Sequence, residues 1–239
     1  MAKKANGRLT RLANELGRMA NAVFKSDEYR RFLSLPLTRE RAAYYIFERS
    51  HFHLNRRQCW ALVQAHAPFD VKQIIWHHER EELAGDAARG VENHWILGIK
   101  EGRTVGLKPR DFNKPPSDGT RICTYAWAHI AQTADWLEAI AASGVLEIAN
   151  SDAIVKGGGI AHRIARKMAK ELDIPIKKQV SNREHMEVDI VHANLLFQVA
   201  ETHVKTRQDA DMVLRGAGNS LAINRTWIGL MAEQMEKMQ

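Results

Sequence analysis

Cysteine is almost absent from this 239-residue chain, Cys59 and Cys123 being the only two. Thiols so few and so far apart support neither a disulfide framework nor a Cys-rich zinc site, and a reducing compartment is expected. Proline is nearly as sparse, and three of the six, Pro109, Pro115 and Pro116, fall within residues 106–119. That stretch is the one substantial loop, and no linker divides the chain into two cores. No run approaches the ~20 apolar residues of a membrane span, and the basic start at residues 1–8 has no apolar segment after it. A cytoplasmic protein without a membrane partner is the expectation. Charge of one sign is not concentrated either: the formal net charge is +7, but Lys and Arg alternate with Asp and Glu along the whole chain. A nucleic-acid module shows a basic stripe interleaved with aromatics, so no specific DNA or RNA binding is expected.

Strand-like alternation is missing too, and helical periodicity fills the chain. Leu9, Leu12, Leu16, Met19 and Val23 make one amphipathic stripe. Thr38 reads as the N-cap of a helix running to about His66, and Pro68 and Asp70 as the turn into another over 71–88. Further helices are expected over 94–103, 122–142, 145–150 after Gly144, 153–172 apart from Gly157 to Gly159, 182–205 and 209–237. With 45% hydrophobic residues the chain is long enough for one sizeable core. The expectation is a single all-α domain over 1–239, a bundle of eight to ten helices.

Histidine is in surplus, eleven in all, and several stand among acids. His185, Asp189 and His192 occupy i, i+4 and i+7, within roughly 60° of one another on a helix. Two imidazoles and a carboxylate on one face suit Fe, Mn or Zn, and with open positions they are what oxygen-activating iron needs. The competing reading is a solvated polar face. Against it stand Val188, Ile190, Val191, Leu195, Leu196 and Val199, which mark a largely buried helix where an Asp needs a partner or a metal. A second cluster holds His77, His78, Glu79, Glu81 and Glu82. Glu82 shares a face with Ile75 and is the first candidate for an inward carboxylate, Glu79 the next and Glu81 behind it, while His94 opens the following helix as a further ligand. Glu147 in its apolar run is either a helix-end residue in water or a buried ligand.

In this order the pieces resemble the haem-oxygenase-like metal-dependent oxidases: a Glu ending a helix, a His opening the next, a Glu after a long apolar helix, then His-x3-Asp-x2-His. These are non-haem di-iron proteins related in fold to thiaminase II and to pyrroloquinoline-quinone synthase. The resemblance covers about residues 25–205, and its metal residues correspond to Glu82, His94, Glu147, His185, Asp189 and His192. It implies two Fe(II) ions and O2 as cofactors. The substrate it implies is a small carboxylate-bearing metabolite (an amino acid, fatty acid or aromatic acid), oxidised by desaturation, C–C cleavage, decarboxylation or N-oxygenation. Its Lys segment falls on Lys156, which would pair with the substrate carboxylate, and an electron donor and a homodimer are the other implied partners. The chain departs from the pattern where Gly144 and Val145 replace an aromatic ahead of Glu147, and where Lys156 is followed by glycines without the usual Leu. The alternative is a metal-free binding or cofactor-biosynthesis protein of the same fold. A thiaminase would carry its cysteine about where Glu147 stands, and a haem oxygenase would carry a proximal His within residues 1–50, which have none. The lone Glu48-x-x-His51 falls short of the paired motif of a ferritin-like site and is read as packing.

Overall fold

Short polar side chains open most helices of the computed structural model, which describes residues 2–238 and side chains from Gly7 onward. After α1 (Ala2–Val23), Ser26 caps α2 (Asp27–Ser34) by accepting from the Tyr29 amide, and Thr38 caps α3 (Arg39–His66) by accepting from Arg41. Pro68 precedes α4 (Phe69–Ala84), and Asn93 caps α5 (His94–Arg103). Ser117 caps α6 (Asp118–Thr133) and Asp135 caps α7 (Trp136–Asn150). Each capping oxygen takes an amide that the helix itself leaves without a partner. The chain ends with α8 (Ile160–Glu171), α9 (Val180–His192), α10 (Asn194–His203) and α11 (Arg207–Glu236). Ala193 keeps helical angles between α9 and α10, φ −58° and ψ −24°, so these two form one bent rod. The eleven α-helices of the described residues therefore make ten rods, with two short 3-10 helices, Pro109–Asn113 and Ile176–Lys178, between them.

Helix α7 is the hub, buried continuously from Leu137 to Ala149 apart from Glu138 and packed by α11, α1, α3, α6, α9 and α10. Ile140 and Ile148 are fully buried, each worth ~1.5–3 kcal/mol relative to exposure. Three expectations change here. One long helix over 122–142 is instead two, because Asp135 accepts from the Leu137 amide at 2.9 Å and starts α7 afresh. Gly144, expected as a break, lies inside α7, where a Cβ would sit 3.0 Å from the Leu196 Cβ of α10. It is a point of close helix approach rather than a stop. Residues 151–159 form a turn, not helix, with Gly157 and Gly158 at φ 83° and 84°. Buried Glu48 accepts from the Ser117 amide at 3.1 Å and from its hydroxyl at 3.0 Å, tying α3 to the start of α6.

Candidate metal centre

Helix α4 turns Val71, Ile75, His78, Glu79 and Glu82 into the core. It stops at Gly85, whose φ of 77° disfavours any side chain and whose missing Cβ leaves room for the Val91 carbonyl and the Asn93 amide. Asp86 and Val91 exchange two backbone hydrogen bonds of 2.8 Å, closing a small loop that returns the chain over the end of α4. His94 is thereby set beside Glu82, its Nδ1 2.8 Å from Oε2, although the loop intervenes in sequence.

Helix α9 supplies the opposite wall. The His185 Nδ1–H donates to the Ser181 carbonyl at 2.8 Å, which directs Nε2 inward. Its ring stacks on His53 at 4.9 Å between centroids and lies 4.7 Å from the His94 ring. One turn on, Asp189 is buried and neither carboxylate oxygen has a hydrogen-bond partner. The His192 Nε2–H donates to Glu81 at 3.1 Å, leaving Nδ1 3.7 Å from Glu82 and 3.9 Å from Asp189. Glu147 reaches in from α7, buried, with an oxygen 3.8 Å from the His78 Nε2.

The electrostatics are those of a site short of positive charge. Burial, followed by the negative charges of Glu147 and Glu82, pushes the Asp189 carboxyl well above its ordinary range. Burial, partly offset by Arg57 and added to by Glu82, raises Glu79 to about 7. Burial would also raise Glu82, but Arg57 at 2.5 Å and His94 outweigh it and hold that carboxyl well below the usual value. Burial lowers His185 to about 3, with His94 adding to the effect, and lowers His78 to about 4. Although burial opposes it, Glu82 raises His94 above its ordinary value, so the neutral imidazoles are His185 and His78. Neutral imidazole and under-compensated carboxylate are the donors a divalent cation takes.

The six metal residues expected from the sequence thus come together from α4, α5, α7 and α9. Of the three acids of α4, Glu82 faces the His94 and His192 rings, Glu79 holds His78 Nδ1 at 3.0 Å and Glu81 holds the outer nitrogen of His192. The residues fit a metal centre on their own geometry: His78 Nε2, both Asp189 oxygens and His192 Nδ1 are all buried without a hydrogen-bond partner. Lys156 is not brought to this cluster. The turn at Gly157 and Gly158 leaves its side chain exposed in an outer groove with Asn14, Arg18, Lys25 and Arg163. Arg57 and His53 surround the cluster without having been singled out in the sequence, and His78, named there in the second cluster, was not among the expected ligands. For His78 the signal was there, since it stands four residues before Glu82 and shares its face. Cys59 and Cys123 are buried free thiols, and burial pushes Cys123 up to about 11, far from the thiolate a nucleophile needs.

Two cavities flank the cluster. The inner one is lined by Tyr45, Arg49, Phe52, His53, His185 and Trp227 among others. The outer one is lined by Leu54, Arg57, Glu82, Leu83, His94 and Trp95, with His53 and Asn93. No helix of the described residues is long and apolar enough to cross a membrane.

The all-α bundle has the haem-oxygenase-like fold, and solved structures share it. A domain of unknown function with a heme oxygenase-like fold from Shewanella denitrificans OS217 superposes with a TM-score of 0.75 at 18% identity, covering 95% of this chain and 93% of that one. A CADD-like protein of unknown function from Nostoc punctiforme PCC 73102 gives 0.75 at 15% identity, over 95% and 97% of the two chains. The chain belongs to the family of iron-containing redox enzymes, which matches residues 43–225. No curated protein matches it.

Proposed function

We propose that the protein is a non-haem di-iron, O2-dependent oxidase or oxygenase of a small carboxylate-bearing metabolite. In this reading Glu82, His94 and His185 would hold one Fe(II), and Glu147, Asp189 and His192 the other. The observation that carries it is Asp189: a carboxylate buried between two histidines, with both oxygens unpartnered, on the helix that also bears His185 and His192. Bound as two ferrous ions, the metal supplies two electrons to O2 and the oxidising power for hydrogen abstraction. The chain's own part is to hold the ligands in place, through Ser181 behind His185 and Glu81 behind His192. The aromatic walls of the inner cavity, Phe52 and Trp227 stacked at 4.8 Å, keep water from the His185 side. Arg57, in the outer cavity and paired with Glu82 at 2.5 Å, is the cation that would meet a substrate carboxylate once Glu82 is engaged by the metal. An electron donor and a homodimer stay part of the proposal, open to reductant-dependence assays and sedimentation.

Anaerobic Fe(II) titration followed by O2 tests the reading. Two equivalents per chain and O2 consumption that depends on iron are expected. No iron uptake, or uptake unchanged in His185→Ala, overturns it in favour of a metal-free protein of this fold.

A further inference from the structure

His78 has the geometry of a ligand. Its Nδ1–H donates to Glu79 at 3.0 Å, the arrangement that orients a metal-bound imidazole from behind, and its Nε2 is buried and unpartnered. The ring is fixed on one side by Trp60, 5.0 Å away, and approaches His192 on the other at 4.4 Å. Nε2 lies 3.8 Å from a Glu147 oxygen. That is too long for a hydrogen bond and close to the ~3–4 Å that separates two donors on one ion with bonds of ~2.1 Å. His78, Glu147 and His192 each offer a ligand atom within 4.8 Å of the others.

We propose that His78 is a seventh metal ligand, and that the two metal sites are unequal in consequence. The proposal rests on the di-iron reading above. The second ion is held by four side chains, His78, Glu147, Asp189 and His192, while the first keeps only Glu82, His94 and His185. The cavities agree with that division. His185 lines the inner cavity and Glu82 and His94 the outer one, whereas none of the four second-site residues lines either. Substrate and O2 therefore reach the first ion, and the second is a closed site that holds charge and electrons.

The test is metal binding by wild type, His78→Gln, His78→Phe and, as a control on the exposed face of the same helix, His77→Gln. The Phe variant keeps the packing against Trp60 without a donor and carries the test should the Gln variant fold poorly. Co(II) titration followed by its ligand-field absorption reads coordination directly, and Fe(II) titration reads affinity. Both His78 variants are expected to bind the first equivalent as wild type does and to lose at least tenfold in affinity for the second, with an altered Co(II) spectrum, while His77→Gln changes nothing. Nitric oxide added to wild type at saturating Fe(II) is expected to bind one ion per chain, and binding of two would overturn the division into an open and a closed site. Two equivalents bound with unchanged affinity and spectrum in both His78 variants would overturn the assignment and leave the di-iron reading standing. Wild type that takes up no metal overturns both.

Discussion

Two buried polar clusters lie one above the other along α9, and they are built on opposite principles. At its start, Arg49 reaches Glu101 at 2.7 Å, Ser181 at 3.2 Å and the Asn182 amide oxygen, while Glu101 also takes the Asn182 backbone amide at 2.7 Å. The Asn182 side chain passes the chain of bonds to Gln179, which closes it on the Ala165 and Ile174 carbonyls. Every one of these groups is paired. One turn further, the acids and imidazoles around Asp189 are equally buried and left with unmet donors and acceptors. A satisfied network rigidifies a fold, whereas an unsatisfied one is costly unless something else completes it. The contrast marks the first cluster as scaffold and the second as a binding site, and the scaffold holds the helix that carries the site.

Breaking the scaffold gives the largest effect. Glu101→Gln strands the buried Arg49 charge and is expected to cost about 3–5 kcal/mol in denaturant unfolding, with or without metal. A loss below about 1 kcal/mol would show that the pair is not the anchor of α9. Asp189→Asn acts the other way round. It is expected to leave the stability of the metal-free protein within about 1 kcal/mol of wild type, yet to weaken Fe(II) binding about a hundredfold, or about 2.8 kcal/mol. If calorimetry finds instead a stability loss with metal affinity intact, Asp189 belongs with the scaffold.

Gly85→Ala probes what brings the two halves of the site together. Strain at φ 77° and collision with the 91–93 backbone are expected to cost about 2 kcal/mol. A lowered melting temperature should come with weakened uptake of the first metal equivalent, because His94 moves with the loop. The smallest effect lies outside both clusters. Glu171 accepts from the Leu37 amide at 2.6 Å and from Lys167 at 2.8 Å, and though burial opposes it these bonds hold its carboxyl below the ordinary value. A depressed carboxyl stabilises the fold above the unfolded-state pKa, and that contribution is lost as pH falls through the lower folded value. Glu171→Gln should therefore cost about 1 kcal/mol at pH 7, and the gap from wild type should close in acid. A gap that persists in acid would assign the effect to shape instead of charge.

Much of the fold is legible in the residues. Thr38 caps the helix that its position announces, and the one proline-rich stretch is a connection that holds a single short 3-10 helix, Pro109–Asn113. The failures have local causes. Gly144 looks like a stop, but a glycine inside a helix also serves where another helix comes close, and only the position of Leu196 distinguishes the two uses. Asp135 was the better boundary signal, set between two stretches that each keep helical periodicity. At the site, the shared face of His185, Asp189 and His192 follows from helical spacing alone. The pairing of Glu82 with His94 does not, since it depends on a loop closed by Gly85 and the Asp86–Val91 bridge. Lys156 fitted a pattern of sequence order, and the turn after it faces the side chain outward.

By itself, then, the sequence determined a helical chain with a His/Asp/His helix face, because periodicity and side-chain type are local properties of the backbone. Which of the acids on α4 faces that helix, that His78 joins it, and that Lys156 does not, were decided only by tertiary structure. Those outcomes depend on how α4, α5, α7 and α9 approach one another, and the approach is fixed by buried contacts between residues far apart in the chain.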